Sequence, residues 1–94
     1  MERSTTLPKP HPAAVFKPVS DGGVLLHTES EIYFGLNEVG VLIWESLPPE
    51  CADLEGLCER ISARYPDVDL ETIRADAVEL IETLEEKQLV TKEG

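Results

Sequence analysis

The side chains best suited to covalent or metal chemistry in this chain are two thiols, Cys51 and Cys58, and two imidazoles, His11 and His27. A Cys–His nucleophile needs the thiol and a positioned base side by side in a pocket. Cys58 instead falls in a stripe with Leu54, Leu57, Ile61 and Tyr65 at helical spacing, where a thiol is core filler. Cys51 and Cys58 are seven positions apart, roughly 10 Å along a helix and beyond disulfide reach, so both are expected as free thiols. The wide cysteine gap and the distant histidines do not reproduce a zinc spacing, and no metal or cofactor is expected. Lone His27 reads as a surface or satisfied core residue, and Glu82, Glu85 and Glu86 read as a solvated helix face. The chain is therefore expected not to be an enzyme. What remains is the chemistry of backbone: Ile32-Tyr33-Phe34-Gly35-Leu36 is an aromatic-rich strand whose free edge can hold another polypeptide by adding it to a sheet.

Ninety-four residues suit one domain, too small for a core plus a deep walled catalytic cavity. The formal charge is −11, of which residues 1–37 carry about −1 (four acidic against three basic) and residues 38–94 about −10 (fifteen against five). Such a surface repels phosphate backbones, whose capture depends on Lys and Arg, so nucleic acids and anionic membranes are not expected partners. Residues 1–12 lack a secretory apolar core, and no later run approaches the ~20 apolar residues that span a bilayer; a cytoplasmic location is expected.

The elements that must position the strand follow from periodicity and punctuation. Pro8, Pro10 and Pro12 make residues 1–12 a flexible arm. Residues 13–90 form the single domain and 91–94 a polar tail. Ala14 to Ser20 reads as an edge strand because of Pro18, Asp21-Gly22-Gly23 as a tight turn, Val24 to Glu29 as a second strand and Ile32 to Leu36 as a third, reached by a turn at Ser30-Glu31. Asn37 is placed to cap a helix carrying Val39, Val41, Leu42, Ile43, Trp44 and Leu47, stopped by Pro48-Pro49. Asp53 caps a second helix running to Pro66, and Asp69 a third with Leu70, Ile73, Ala77, Leu80, Ile81 and Leu84 on one side. At 100° per residue, Arg74 and Val78 lie on one shoulder of that stripe, where Val78 extends past the core sector and can line a groove. Leu89-Val90 packs after the helix ends. The expected fold is α+β: a three-stranded antiparallel meander followed by three helices.

The run His27-Thr-Glu-Ser-Glu-Ile-Tyr-Phe-Gly-Leu-Asn-Glu-Val-Gly-Val-Leu-Ile-Trp44, with Ala75-Asp76-Ala77-Val78-Glu79-Leu80-Ile81 and Lys87-Gln88-Leu89-Val90, resembles the PqqD-like family of precursor-peptide recognition domains over roughly residues 14–90. The stretch Tyr33 to Gly40 is most similar to stand-alone members from lasso-peptide pathways. The resemblance implies a winged-helix-like fold that binds the leader segment of a ribosomally made precursor along the third strand, in the cleft beside the last helix, and serves a separate leader peptidase and cyclase. It implies that the backbone of Ile32, Tyr33, Phe34, Gly35 and Leu36 pairs with the leader, that Ala77, Val78 and Ile81 touch its side chains, and that Arg74 pairs with a leader carboxylate. An alternative within the family is a chaperone serving a radical SAM enzyme in pyrroloquinoline quinone biosynthesis.

Each of these residues has a plainer reading. Ile32, Phe34 and Leu36 alternate as a half-buried strand requires and are expected in the core. Tyr33, on the opposite face, divides evenly between pocket and ordinary surface, Gly35 between close backbone approach and a bulge, and Val78 between groove and scattered surface. Asp76 also matches a family position and reads as a structural acceptor. Glu45-Ser46-Leu47 faintly resembles the serine site of acyl carrier proteins, but that serine opens a helix whereas Ser46 closes one. A winged-helix regulator is the remaining alternative, disfavoured by the acidic charge.

Overall fold

Alternating apolar residues and two short turns fold residues 14–36 into a meander. A computed structural model describes residues 7–48, 50, 51 and 53–91. Within it β2 (Ala14–Val19), β3 (Gly22–His27) and β4 (Ile32–Leu36) form an antiparallel sheet in the order β2-β3-β4, with Phe16 opposite Leu25 and Leu25 opposite Phe34. Gly23, Leu25 and His27 of β3 are buried on one face, while Val24 and Leu26 on the other are half-buried. The turn is Ser20-Asp21, not the two glycines, which begin β3. No glycine among the described residues has positive φ. A Cβ at Gly22 would run into the carbonyl of Leu36, and one at Gly23 into the Phe16 ring, so close packing is what excludes a side chain at both.

Three helices cover the buried face. Asn37 caps α1 (Glu38–Glu45) as expected, its Oδ1 accepting from the Gly40 amide at 2.8 Å. Asp53 does the same for α2 (Leu54–Arg64), accepting from Gly56 at 2.9 Å. Each such cap is worth about 1 kcal/mol. Asp69 precedes α3 (Leu70–Glu86) but makes no side-chain cap, and Leu70 is exposed instead of lying in the stripe. Leu25, Leu57, Ile61, Ala77, Leu84 and Leu89, contributed by both the sheet and the helical layer, are fully buried and form the core. Ser46 closes α1 by donating its hydroxyl to the Leu42 carbonyl at 2.7 Å, and is itself buried.

The expected flexible arm is corrected over residues 7–12; residues 1–6 lie outside the described residues. Leu7 is buried in the core, and β1 (Lys9–Pro10) pairs antiparallel with β5 (Val90–Thr91). The physical cause is the end of α3. Gln88 adopts φ 60°, and the Leu89 and Gln88 amides donate to the Leu84 and Glu85 carbonyls at 2.9 and 3.1 Å. This pair of bonds is the Schellman closure, which reverses the chain and sends Leu89 and Val90 back into the core. There the His11 amide donates to the Leu89 carbonyl at 3.0 Å. Thr91, expected in the tail, is thus a strand residue, and 92–94 lie outside the described residues.

His27 is buried with its Nδ1 accepting from the Glu29 and Ser30 amides at 3.2 and 3.3 Å, its ring 4.8 Å from that of His11. Its Nε2 is buried without a partner, so it is a core histidine that is only partly satisfied.

Candidate functional site

Among the described residues, strand β4 pairs on one side only, with β3. Which of its backbone groups face outward follows from hydrogen-bond alternation in an antiparallel ladder. The Thr28 amide donates to the Ala13 carbonyl at 2.9 Å, which assigns the even-numbered residues of β3 to β2 and leaves Gly23, Leu25 and His27 to bond β4. Their register partners Leu36, Phe34 and Ile32 are therefore turned inward. The backbone N–H and C=O of Tyr33 and Gly35 are left at the open rim. Of the five strand residues expected to pair with a guest, these two present the free groups.

Beside this rim lies a groove of about 420 Å³ walled by β4, α1 and α3. Phe34 and Leu36 line it from the strand, Val39, Gly40 and Ile43 from α1, and Asp76, Glu79, Leu80 and Thr83 from α3. Gly40 suits this junction, because a Cβ there would stand 3.2 Å from both Asn37 Oδ1 and a Leu36 methyl, tighter than ordinary contact. Lys87 closes the turn after α3 with its ammonium 5.7 Å from the centre of the Phe34 ring.

The structure brings together some of the expected residues and separates others. Phe34, Gly35 and Leu36 line the groove. Only Leu36 of the alternating trio is buried; Phe34 is intermediate and Ile32 exposed, which corrects its expected place in the core. Tyr33 is 70 % exposed, on the sheet face away from the helices. A Cβ on Gly35 would meet nothing within 4 Å, so the residue sits in open space. Ala77 and Ile81 are buried core residues. Arg74 and Val78 lie on the far flank of α3, in a second shallow depression with Glu71, Ala75 and Glu82, and Glu79 borders both it and the groove. Arg74 is already paired with Glu55 of α2 at 2.9 Å. Periodicity missed Asp76, Glu79 and Thr83 as wall residues because they are polar. The signal that could have found two of them is position: Asp76 and Thr83 lie with Leu80 on the opposite shoulder of the same stripe, and Glu79 lies further round toward solvent.

The electrostatics of the groove are acidic. Among the described residues, Asp76 and Glu79 have no hydrogen bond or ion pair through their carboxylates, whereas Arg60 and Arg74 are committed to Glu50 and Glu55. Burial pushes the Cys58 thiol up, with Arg74 acting against that and Glu55 with it. A shielded, protonated thiol is a packing group and not a nucleophile. The site can thus supply two strand-pairing backbone units, an apolar floor and an anionic wall.

Comparison with known proteins agrees with this geometry. A family model described as coenzyme PQQ synthesis protein D (PqqD) matches residues 22–90. The solved structure "TbiB1 in complex with the TbiA(beta) leader peptide" superposes with a TM-score of 0.79 at 32 % sequence identity, covering 92 % of this chain and 98 % of that one. No curated protein sequence is a significant match.

Proposed function

Because the chain belongs to the PqqD family, we propose that it binds the leader region of a ribosomally synthesised precursor peptide, of the lasso type, by accepting it as a further strand on β4. The observation that carries this reading is the open rim at Tyr33 and Gly35, bordered by a groove with an apolar floor. Main-chain hydrogen bonds supply sequence-tolerant affinity in such an arrangement, and the pockets beside them supply selection. TbiB1, a protein of the same architecture, is seen with a leader peptide.

The chain itself carries out no bond-making step in this reading. It holds the leader so that the rest of the precursor reaches a leader peptidase or cyclase of the same pathway, in the cytoplasm where the precursor is made. Converting a bimolecular encounter into a tethered one raises the effective concentration from micromolar toward millimolar, up to ~10³ in rate at low substrate. No helix among the described residues is long and apolar enough to cross a membrane. The family model's description as a coenzyme PQQ synthesis protein motivates a second reading, in which the client is a peptide of that pathway and the partner a radical SAM enzyme; the two readings share the binding mode and differ in the peptide.

Titration of the chain with a labelled leader peptide, followed by amide hydrogen exchange, tests the proposal. Binding in the nanomolar to micromolar range is expected, with the Tyr33 and Gly35 amides slowing on binding. A leader that binds while both amides continue to exchange freely refutes strand addition.

A further inference from the structure

The two carboxylates on the α3 wall are unpaired, and they sit at a spacing that a strand can read. Asp76 and Leu80 both line the groove, four residues apart on one helix face, which is about 6 Å along the axis. Side chains on one face of an extended strand repeat every two residues, at roughly 6.6 Å. A guest strand lying on the β4 rim directs every second side chain toward α3, on the side where Phe34 and Leu36 lie. One such side chain can seat against Leu80 and Phe34 while the next stands opposite Asp76, with Glu79 between the two along the helix axis and further round toward solvent.

We infer that the guest is selected for charge as well as for shape: on its α3-facing side it carries a lysine or arginine two positions from an aliphatic or aromatic residue. This rests on the strand-addition reading above. Charge complementarity carries it. The chain has a net charge of −11; Arg60 and Arg74 are ion-paired elsewhere, and Lys87 stands over Phe34. No positive group of the described residues is paired with Asp76 or Glu79, so an acidic guest residue there meets repulsion and a basic one meets two partners. The wall is polar where a simple hydrophobic clamp would continue the apolar face of Leu80. Asp76 and Glu79 are both exposed, so each can meet a cationic side chain without first being stripped of a partner within the chain.

A short random peptide library selected on the parent chain, and counter-selected on Gly35→Pro to remove binders that do not use the rim, tests this directly. The expected enriched peptides carry Lys or Arg at two positions from an apolar anchor. Replacing that base by Glu weakens binding about tenfold at low salt and much less at high salt. In the double variant Asp76→Asn/Glu79→Gln, the Lys and Glu peptides bind within about twofold of each other. Rim-dependent peptides that lack the base, or a charge preference that survives the double variant, overturn this inference and leave strand addition standing. If no peptide depends on the rim, strand addition falls and this inference falls with it.

Discussion

Two strand edges of this fold, those of β5 and β4, are treated oppositely by the chain. The edge of β5 is filled by its own residues Lys9 and Pro10, beside the buried side chains Leu7, Leu89 and Val90. The edge of β4 is left open, with Ile32, Tyr33 and Gly35 exposed. An unfilled edge invites aggregation, and proteins usually cover it or load it with charge. The filled edge shows that a segment of this chain can serve as a covering strand. The open one is bordered by a groove instead, as expected of an edge kept for a visitor. The difference teaches that the fold treats its strand edges differently: at β5 pairing holds the domain together, and at β4 the outer pairing groups are left unused among the described residues.

The most damaging test of that division is on the filled side. Leu89→Ala should cost about 2–5 kcal/mol in urea unfolding, since Leu89 is wholly buried and anchors the returning chain. A loss below ~1 kcal/mol would mean that the β1–β5 pair is ornamental. On the open side, Gly35→Pro should weaken leader binding about tenfold or more while the melting temperature stays near the parent's, because the amide it removes is not used within the sheet. Gly35→Ala serves as control and should bind as the parent does, its Cβ meeting nothing. Were Gly35→Pro to unfold the chain, the outward assignment of that amide would be wrong.

Smaller effects sharpen the comparison. Gln88 holds a left-handed conformation that glycine adopts without strain, so Gln88→Gly should stabilise the turn into β5 by about 0.5–1 kcal/mol in the same unfolding assay. A destabilisation would show that the Gln88 side chain contributes more than its backbone costs. Val78→Asp, on the flank of α3 away from β4, should change leader affinity by less than about twofold. A larger loss would return Val78 to the binding surface and make the far depression part of the site.

Several parts of this arrangement were legible before any coordinates. Asn37 and Asp53 are short polar residues directly before apolar helical patterns, and both cap as such residues do. Alternation placed β4 at residues 32–36. Other parts had no local signal. Two residues containing a proline do not read as a strand, and β1 exists only because β5 is there to pair with it. The turn into β5 was hidden because Gln88 stands where glycine normally marks a Schellman closure. Ser20-Asp21 turned the chain in place of the two glycines, whose reason is the closeness of Leu36 and Phe16.

The candidate site marks the limit most sharply. The stripe Ile73, Ala77, Ile81 and Leu84 told which side of α3 is buried, because hydrophobic periodicity measures angle from the core. It has a left and a right shoulder of similar standing: Arg74 and Val78 on one, Asp76, Leu80 and Thr83 on the other. Sequence alone determined the meander of β2, β3 and β4, the three helices, their order, the family and β4 as an edge strand, since these depend on contacts between near neighbours and on matching residue patterns. Which shoulder of α3 faces β4, and which strand edge is filled from within, was decided only in the tertiary structure. Both depend on how segments far apart in the chain are set against one another, and no local period encodes that.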